Sequence, residues 1–560
     1  MVLKSLSSKI LDMVFKRCRK GLPEQTFKIG NKKVEFVEMS DGTKLATHII
    51  FPAKVTKAPI LLMRSPYSDD TEIMLFILAE FVKYGFTVCY QECRGRGASE
   101  GKFEPFMHER QDSLDTYAWL KAQKWYSGKV ALVGASYFCY TALCWCDKWD
   151  EDIVTAFCAV FGDNIYDAFY MNGMFKDDFG TCWAIQNNSI QNHATDNSFE
   201  IFAAFQDAKP RGGVLRQALG GDVPFYNEML ASRSSSDRLW TCDGIPDVSA
   251  IKSPICLLTG YFDFSVPGAK RLYDKLENSV REKSRFVVGP WTHVFMNKGT
   301  KKAPNSDIPG AVVLKLAFEW LLNKFFGYEI GDKLVKRYIY NRNEFVESKS
   351  FPDVYSQTAF LHHNHLTLHE PKQISSKRFV YVPSEPVKTV GGNALAPAMF
   401  SRLKRLKQCI AHQDYLKRGD VLVFSGDRLH GGKTVLGAKV KLVVASDCAD
   451  TCFSVKLCVK EGRNIWNLCS GVTTLVNNGK NYTPYEPNSI RELKIELNPI
   501  GYQLKNKSRL IFVITSSDYP SYAIHPNVDE SLNTATDYRS ANQTVYIGKG
   551  GTEVEIFYEK

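Results

Sequence analysis

An apolar strand signal over residues 129–133 ends in a tight turn at Gly134 and Ser136, and a helical stretch follows at once. Two earlier apolar runs, at 58–63 and 86–90, are also separated by helical stretches. Continuous apolar strands that alternate with helices indicate a parallel sheet that is buried on both faces. The first third of the chain is therefore predicted to be an α/β domain.

The chain has 560 residues, which exceeds one ordinary domain of roughly 100 to 200 residues. The α/β pattern of residues 31–145 resumes over 246–348, and the aromatic-rich segment 146–245 between them is interpreted as a helical insertion. Short, closely spaced strand signals with Gly, Asp and Asn turns over 349–560 predict a β-sandwich. Residues 1–30 are interpreted as a basic helix or arm.

Ser136 is the candidate nucleophile. A sharp strand-to-helix turn exposes the serine Oγ above the sheet and leaves the next backbone N–H free to stabilise an oxyanion. The usual G-x-S-x-G pattern has a second glycine where this chain has Phe138. Phe138 is expected to crowd the acyl pocket or to shift the turn. Taken alone, the pentapeptide of residues 134–138 fits a plain strand–helix junction equally well.

Asp263 and His293 are candidate partners for this serine. Each follows an apolar strand signal. The order serine, aspartate, histidine along the chain is the one expected when the serine lies at such a strand-to-helix turn. Residues at the carboxyl ends of parallel strands gather at one edge of the sheet. The three residues therefore predict a catalytic triad, with His293 as general base and Asp263 orienting the imidazole.

Several segments resemble one group of serine hydrolases: the X-prolyl dipeptidyl-peptidases, bacterial cocaine esterase, glutaryl acylases and α-amino-acid ester hydrolases. The resemblance runs from about residue 35 to near the C-terminus. The matching segments are Arg64-Ser-Pro-Tyr67, Gln91-Glu-Cys-Arg-Gly-Arg-Gly-Ala-Ser-Glu-Gly101, the turn at Ser136, Gly289-Pro-Trp-Thr-His293, Asp420-Val-Leu-Val-Phe-Ser-Gly-Asp427, Ala445-Ser-Asp-Cys-Ala-Asp-Thr451 and Ser516-Ser-Asp-Tyr-Pro520.

This resemblance implies an α/β-hydrolase domain with an inserted helical cap, followed by an all-β jelly-roll domain. It also implies an oxyanion hole made by the Tyr67 hydroxyl and the backbone N–H of Tyr137. No cofactor and no metal are implied. The expected substrate is a small ester or amide, or a short peptide, cleaved through an acyl-enzyme intermediate.

Three functions stay open at this point. Hydrolysis of a carboxylic ester or an acyl amide is preferred, and X-Pro dipeptidyl-peptidase activity is the alternative. A peptidase of that kind must hold a free amino terminus with carboxylates, and no acidic cluster in the insertion is decisive. A binding protein that kept the fold while Phe138 closed the pocket is the third.

Composition and charge restrict the binding partners and the cellular compartment that are expected. The net charge of +11 is spread along the chain, and the basic run 402–407 lacks interleaved aromatic residues, so no nucleic-acid partner is expected. Buried free thiols in a reducing, cytoplasmic compartment best explain the 15 cysteines. No apolar run is long enough to span a bilayer. The amphipathic N-terminus leaves membrane-surface or organelle targeting open, and a homodimer also remains an option.

A histidine cluster at the start of the β-rich part resembles a metal site. It comprises His362, His363, His365, His369 and Glu370. Strand alternation would point His363 and His365 away from His362. We therefore interpret this segment as a histidine-rich hairpin.

Overall fold

The computed structural model describes residues 14–67, 71–191, 198–204, 211–295, 311–394 and 410–560. Two large sheets organise these residues. The first has ten strands and the second has twelve.

The N-terminal part of the chain supplies six strands and three helices. The strands are β1 (Ile29–Glu38), β2 (Lys44–Pro52), β3 (Ile60–Ser65), β4 (Thr87–Glu92), β5 (Val130–Ala135) and β6 (Ile153–Ala159), and the helices are α1 (Thr71–Val82), α2 (Glu109–Lys121) and α3 (Tyr137–Leu143). Residues 14–18 are helical, and Val14, Phe15 and Cys18 are buried. This portion of the predicted arm is therefore docked on the body, whereas residues 1–13 lie outside the described chain.

The next part is mostly helical and contains one short hairpin. It comprises α4 (Tyr166–Phe169), β7 (Tyr170–Met171), β8 (Met174–Phe175), α5 (Asp177–Gln191), α6 (Ser198–Ala204), α7 (Gly213–Leu219), α8 (Pro224–Ala231) and α9 (Arg238–Thr241). We refer to residues 160–250 of this part as the cap.

The α/β pattern then resumes and completes the first sheet. It adds β9 (Ile255–Phe262), α10 (Val266–Lys275), α11 (Asn278–Arg281), β10 (Arg285–Thr292), α12 (Ala311–Phe326), β11 (Val335–Ile339) and β12 (Glu344–Ser348). The strand order is β1-β2-β4-β3-β5-β6-β9-β10-β11-β12. The run from β4 to β11 is parallel, whereas β1, β2 and β12 pair antiparallel to their neighbours.

Both faces of this sheet are covered, as the continuous apolar strands predict. On β5, Val130 and Leu132 belong to one apolar cluster, whereas Ala131 and Val133 belong to the cluster on the opposite face. Helices α1 and α12 cover the second face, where the rings of Phe81 and Phe318 stack with centroids 4.3 Å apart. The predicted α/β part is thus confirmed.

One prediction about the insertion is wrong at its first boundary. Residues 153–159, which the sequence analysis placed in the helical insertion, form β6 near the centre of the sheet, between β5 and β9. The run Ile153-Val-Thr-Ala-Phe-Cys-Ala159 is apolar and β-branched, so it carries a strand signal of its own. The helical part begins only after it.

The C-terminal part is all β, as predicted. Its strands are β13 (Val354–His362), β14 (His365–Thr367), β15 (Ile374–Tyr381), β16 (Leu422–Gly426), β17 (Thr434–Ser446), β18 (Cys452–Glu461), β19 (Asn464–Thr474), β20 (Arg491–Glu496), β21 (Tyr502–Gln503), β22 (Arg509–Thr515), β23 (Ala541–Gly548) and β24 (Glu553–Glu559). The order is β15-β23-β17-β24-β13-β14-β16-β22-β18-β19, and β20 and β21 pair with β17. His362 and His365 are cross-strand partners, so the histidine cluster is a hairpin.

Backbone hydrogen bonds join the cap to the C-terminal domain. The N–H of Asp178, in the first turn of α5, donates to the carbonyl of Pro520 at 3.0 Å. The N–H of Ala523 donates to the carbonyl of Phe175 at 2.9 Å. The C-terminal domain thereby fixes the start of α5, the cap helix that reaches the candidate site.

Among the residues that the structure describes, no helix is long and apolar enough to cross a membrane.

Candidate active site

Four predicted site residues follow the carboxyl ends of parallel strands in the first sheet. Ser136 follows β5, Asp263 follows β9, His293 follows β10, and Tyr67 lies two residues beyond β3. Because these strands are parallel, their ends meet at one edge of the sheet. The fold therefore brings together residues that are far apart in sequence.

Ser136 occupies a strained turn between β5 and α3. Its backbone has φ 57° and ψ −124°, a conformation that non-glycine residues rarely adopt, and its N–H donates to the carbonyl of Ala159 at 2.9 Å. A Cβ at Gly134 would lie 2.3 Å from the carbonyl carbon of Phe138, so only glycine allows helix α3 to come this close to the strand. The local geometry is that of a nucleophile elbow.

Phe138 leaves this turn intact. Its side chain is half-buried and packs edge-on against the ring of Tyr67, with centroids 5.3 Å apart. Ser136 keeps both its left-handed backbone and its contact with His293. The expected shift of the elbow is therefore not observed, and the phenylalanine instead packs beside the predicted oxyanion donor.

Ser136, His293 and Asp263 form one continuous chain of contacts. The Ser136 Oγ lies 2.9 Å from His293 Nε2, and His293 Nδ1 lies 3.1 Å from Asp263 Oδ1. Asp263 is fully buried and also accepts hydrogen bonds from the N–H and the hydroxyl of Ser265, at 3.0 and 2.7 Å, and from the Thr259 hydroxyl at 3.3 Å. These donors hold the carboxylate in the orientation that the imidazole needs.

Two neighbouring aromatic side chains pack against the imidazole. The ring of Phe264 stacks on that of His293 with centroids 4.4 Å apart and an interplanar angle of 20°. Phe179, on cap helix α5, meets the same imidazole edge-on at 5.4 Å. Contact with both rings restricts the rotation of the imidazole away from Ser136.

Lys176 also contacts the Phe264 ring. Its Nζ is 5.0 Å from the centroid of the Phe264 ring and donates to the carbonyl oxygen of Asp167. Lys176 is only 9% exposed, and this burial lowers its pKa from 10.5 to about 8, although the nearby carboxylates Asp167 and Asp263 oppose the shift. A buried ammonium of this kind destabilises the folded protein near neutral pH.

Replacing Lys176 by methionine is expected to raise the melting temperature near pH 7 and to raise it less at about pH 9.5. Burial lowers the pKa of Lys176 to about 8, so between that pH and 10.5 the unfolded chain binds this proton more tightly than the folded chain does. The resulting penalty on folding is roughly 3 kcal/mol below pH 8 and fades as the pH rises. Thermal melts of both proteins at the two pH values measure it. Lys270→Met, at a half-buried lysine paired with Asp274, is the control. An equal shift of the Lys176→Met melting temperature at both pH values would contradict the prediction.

Tyr67 and Tyr137 are placed as candidate oxyanion donors. Tyr67 is half-buried, and its hydroxyl accepts a hydrogen bond from the indole N–H of Trp183 at 3.0 Å. Tyr137 is the first residue of helix α3, where a backbone N–H has no acceptor within the helix. The Tyr137 side chain turns into the core and donates to the carboxyl group of Glu109, whose pKa is raised by burial.

Several aromatic side chains pack together where the cap meets the catalytic domain. The Trp183 ring stacks with Phe106 at 6.0 Å and with Tyr137 at 6.1 Å. Phe169 and Phe225 meet Trp183 at nearly right angles, with centroids 5.4 and 5.8 Å away. Two aromatic residues of cap helix α5 thus contact predicted site residues: Phe179 packs on His293, and Trp183 bonds to Tyr67.

Residues with metal-ligating side chains do not assemble in the described chain: no group of three or more His, Cys, Asp or Glu is placed to hold an ion there. His362, His365 and His369 instead line an open groove of about 540 Å³ in the C-terminal domain. Around Ser136, the predicted nucleophile, base and orienting carboxylate contact one another.

A serine at a strand-to-helix elbow, on an open parallel sheet, defines the class of serine α/β-hydrolases. Residues 41–295 match the X-Pro dipeptidyl-peptidase (S15 family), and residues 341–552 match the X-Pro dipeptidyl-peptidase C-terminal non-catalytic domain. Cocaine esterase from Rhodococcus sp. (strain MB1 Bresler) is 24% identical over 557 residues, which cover 88% of this chain and 91% of that enzyme. The chain belongs to this X-Pro dipeptidyl-peptidase and cocaine esterase family, and it is a serine hydrolase.

Solved structures share the whole architecture. An aminopeptidase from a marine sediment Thaumarchaeota archaeon superposes with a TM-score of 0.78 at 19% identity, covering 96% of this chain and 98% of that one. An α-amino acid ester hydrolase gives a TM-score of 0.77 at 19% identity, with 96% and 97% covered. A CocE/NonD family hydrolase from Staphylococcus aureus gives 0.66 at 14% identity, with 95% and 94% covered. The predicted fold class, a capped α/β-hydrolase domain with a C-terminal all-β domain, is confirmed.

Sequence reasoning missed four side chains around the site. They are Glu109, Lys176, Trp183 and Phe264. Phe264 directly follows Asp263, so its position in the sequence indicates that it lies near the imidazole of His293. The other three reach the site through tertiary contacts, and only the aromatic character of the cap segment pointed to Trp183.

Proposed function

We propose that this enzyme hydrolyses carboxylic esters and related acyl amides at Ser136. The observation that carries the proposal is the unbroken contact from Ser136 Oγ through His293 to the buried carboxylate of Asp263. In this arrangement, a neutral imidazole accepts the serine proton and the carboxylate stabilises the imidazolium that forms. The names of two relatives, a cocaine esterase and an α-amino acid ester hydrolase, support ester substrates.

In the proposed reaction, Ser136 Oγ forms a bond to the carbonyl carbon while its proton passes to His293 Nε2. The carbonyl π electrons move onto oxygen, and the Tyr67 hydroxyl and the Tyr137 N–H donate to the resulting oxyanion. The intermediate collapses, and the leaving alkoxide or amine takes the proton from His293. Water then attacks the acyl-enzyme by the same steps, which releases the acid and restores Ser136.

X-Pro dipeptidyl-peptidase activity is the alternative, and the family matches keep it open. Such an enzyme has to bind the amino terminus of its substrate with a carboxylate. In the cap, Asp163 and Asp167 are both paired with Arg271, and Asp177 is paired with Arg211 at 3.0 Å. Lys275 is a second partner of Asp163, so all three carboxylates are ion-paired within the protein, and this pairing supports the ester or amide assignment.

Comparing two substrate panels tests the assignment. We expect p-nitrophenyl acetate and butyrate to be hydrolysed with kcat/KM at least about tenfold above that for Gly-Pro and Ala-Pro p-nitroanilides. Ser136→Ala measured on every substrate serves as the background. Turnover of the X-Pro anilides that exceeds ester turnover would favour the peptidase instead. Turnover of neither, in folded protein, would favour a binding protein on the same fold.

The cellular compartment and the partners of the enzyme are a further part of this proposal. The described cysteines are free, and all of them except Cys242 are buried, which supports a reducing compartment such as the cytoplasm. A small ester, amide or short peptide is the proposed partner, and nucleic acid is not. A homodimer is compatible with the proposal and is tested by light scattering of the purified protein.

A further inference from the structure

A hydrogen bond between described residues connects the cap to the proposed oxyanion donor Tyr67. The indole N–H of Trp183, on α5, donates to the hydroxyl oxygen of Tyr67 at 3.0 Å, across 116 residues of sequence. Tryptophan has no acceptor atom, so the direction of this bond is fixed: Tyr67 accepts and keeps its own proton. A hydroxyl that accepts one hydrogen bond is polarised and donates a stronger one.

Both partners are held in place. Trp183 is 7% exposed and stacks on the rings of Phe106 and Tyr137, with interplanar angles of 17° and 16°. Tyr67 packs edge-on against Phe138. A donor that is fixed before the substrate arrives needs no reorganisation when charge develops, which is the condition for strong electrostatic stabilisation.

Trp183 therefore contacts both residues of the proposed oxyanion hole. It donates to the hydroxyl of Tyr67 and stacks on the ring of Tyr137, whose backbone N–H is the second proposed donor. Tyr67 and Tyr137 belong to the catalytic domain, whereas Trp183 belongs to the cap. The cap and the catalytic domain therefore meet at the proposed oxyanion hole.

We propose that Trp183 is a positioning residue: its indole N–H, bonded to the Tyr67 hydroxyl, orients that hydroxyl to donate to the oxyanion formed at Ser136. This inference rests on the proposed function, because it assigns a role within the same reaction. The Phe138 ring, which packs edge-on against the Tyr67 ring, is a second contact that holds Tyr67 in place.

A double-mutant cycle tests the inference. Trp183→Phe keeps an aromatic ring in the stack and removes the N–H, and it is expected to lower kcat for p-nitrophenyl acetate about tenfold with little change in KM. Tyr67→Phe is expected to lower kcat by about 10² to 10³. If Trp183 acts through Tyr67, the double variant is no slower than Tyr67→Phe alone.

Trp240→Phe is the matched control. Trp240 is another buried cap tryptophan, 4% exposed, and its indole N–H donates at 2.8 Å to the carbonyl of Ser232, within the cap. We expect it to leave kcat within about twofold of the wild-type value, and we expect melting temperatures to show that all variants are folded.

Three outcomes would overturn the inference. The first is wild-type kcat in Trp183→Phe. The second is a Trp183→Phe effect that is as large in the Tyr67→Phe background as in the wild type, since that is the behaviour of a structural residue. The third is no turnover by the wild-type enzyme, which would overturn the proposed function together with this inference; in the first two cases the wild-type activity leaves the proposed function standing.

Discussion

Replacing Ser136 by alanine is expected to lower kcat for ester hydrolysis by about 10⁶-fold, to the residual rate that the oxyanion donors and binding provide. The variant keeps the fold, because the side-chain hydroxyl contacts only His293 among the described residues, at 2.9 Å, and alanine is smaller. Without the hydroxyl, His293 has no nucleophile to deprotonate. Initial rates at saturating p-nitrophenyl ester measure the effect.

A second serine variant controls for impurities and for general effects of substitution. Ser236→Ala removes an exposed cap hydroxyl that bonds only locally to Ser234. It is expected to retain the full wild-type kcat. Retention of more than about one-hundredth of the activity in Ser136→Ala would contradict the assigned nucleophile.

Changing Asp263 to asparagine is expected to lower kcat by about 10⁴-fold with little change in overall structure. The carboxylate is fully buried and accepts hydrogen bonds from His293 Nδ1 and from both donors of Ser265. An asparagine amide has only one acceptor oxygen, so its NH₂ group must face a donor or hold the imidazole in the wrong tautomer. Pre-steady-state acylation rates measure the loss directly.

Asp274→Asn provides the comparison for this change. Asp274 is an exposed carboxylate on α10 that pairs with Lys270. Its variant is expected to acylate at the wild-type rate. An Asp263→Asn enzyme that acylates within about tenfold of wild type would mean that Asp263 does not orient the base.

That the three triad candidates lie together could be predicted from the sequence because each has a local signal. Ser136, Asp263 and His293 all stand directly after an apolar strand, and parallel strands bring such positions together. Tyr67 had no such signal of its own, and the resemblance of Arg64-Ser-Pro-Tyr67 to a known family identified it. The placement of these residues therefore depends on strand ends, which short sequence windows can reveal.

What could not be predicted depends on tertiary packing. Strand β6 was missed because its short apolar run lies between the helix after Ser136 and an aromatic segment, where a buried helix and a buried strand look alike. The effect of Phe138 was expected to be steric, yet the ring found space beside Tyr67. The Trp183–Tyr67 hydrogen bond joins the cap to the catalytic domain, and no local pattern marks such a contact.

Labelling with a fluorophosphonate probe tests the central claim most directly, because only an activated nucleophile displaces fluoride from phosphorus. The purified wild-type enzyme and the Ser136→Ala variant are treated in parallel, and the adduct is located by peptide mass spectrometry. We expect one adduct, on Ser136, that is absent from the variant. A folded wild-type protein that carries no adduct, or that carries it on another residue, would mean that Ser136 is not an activated nucleophile.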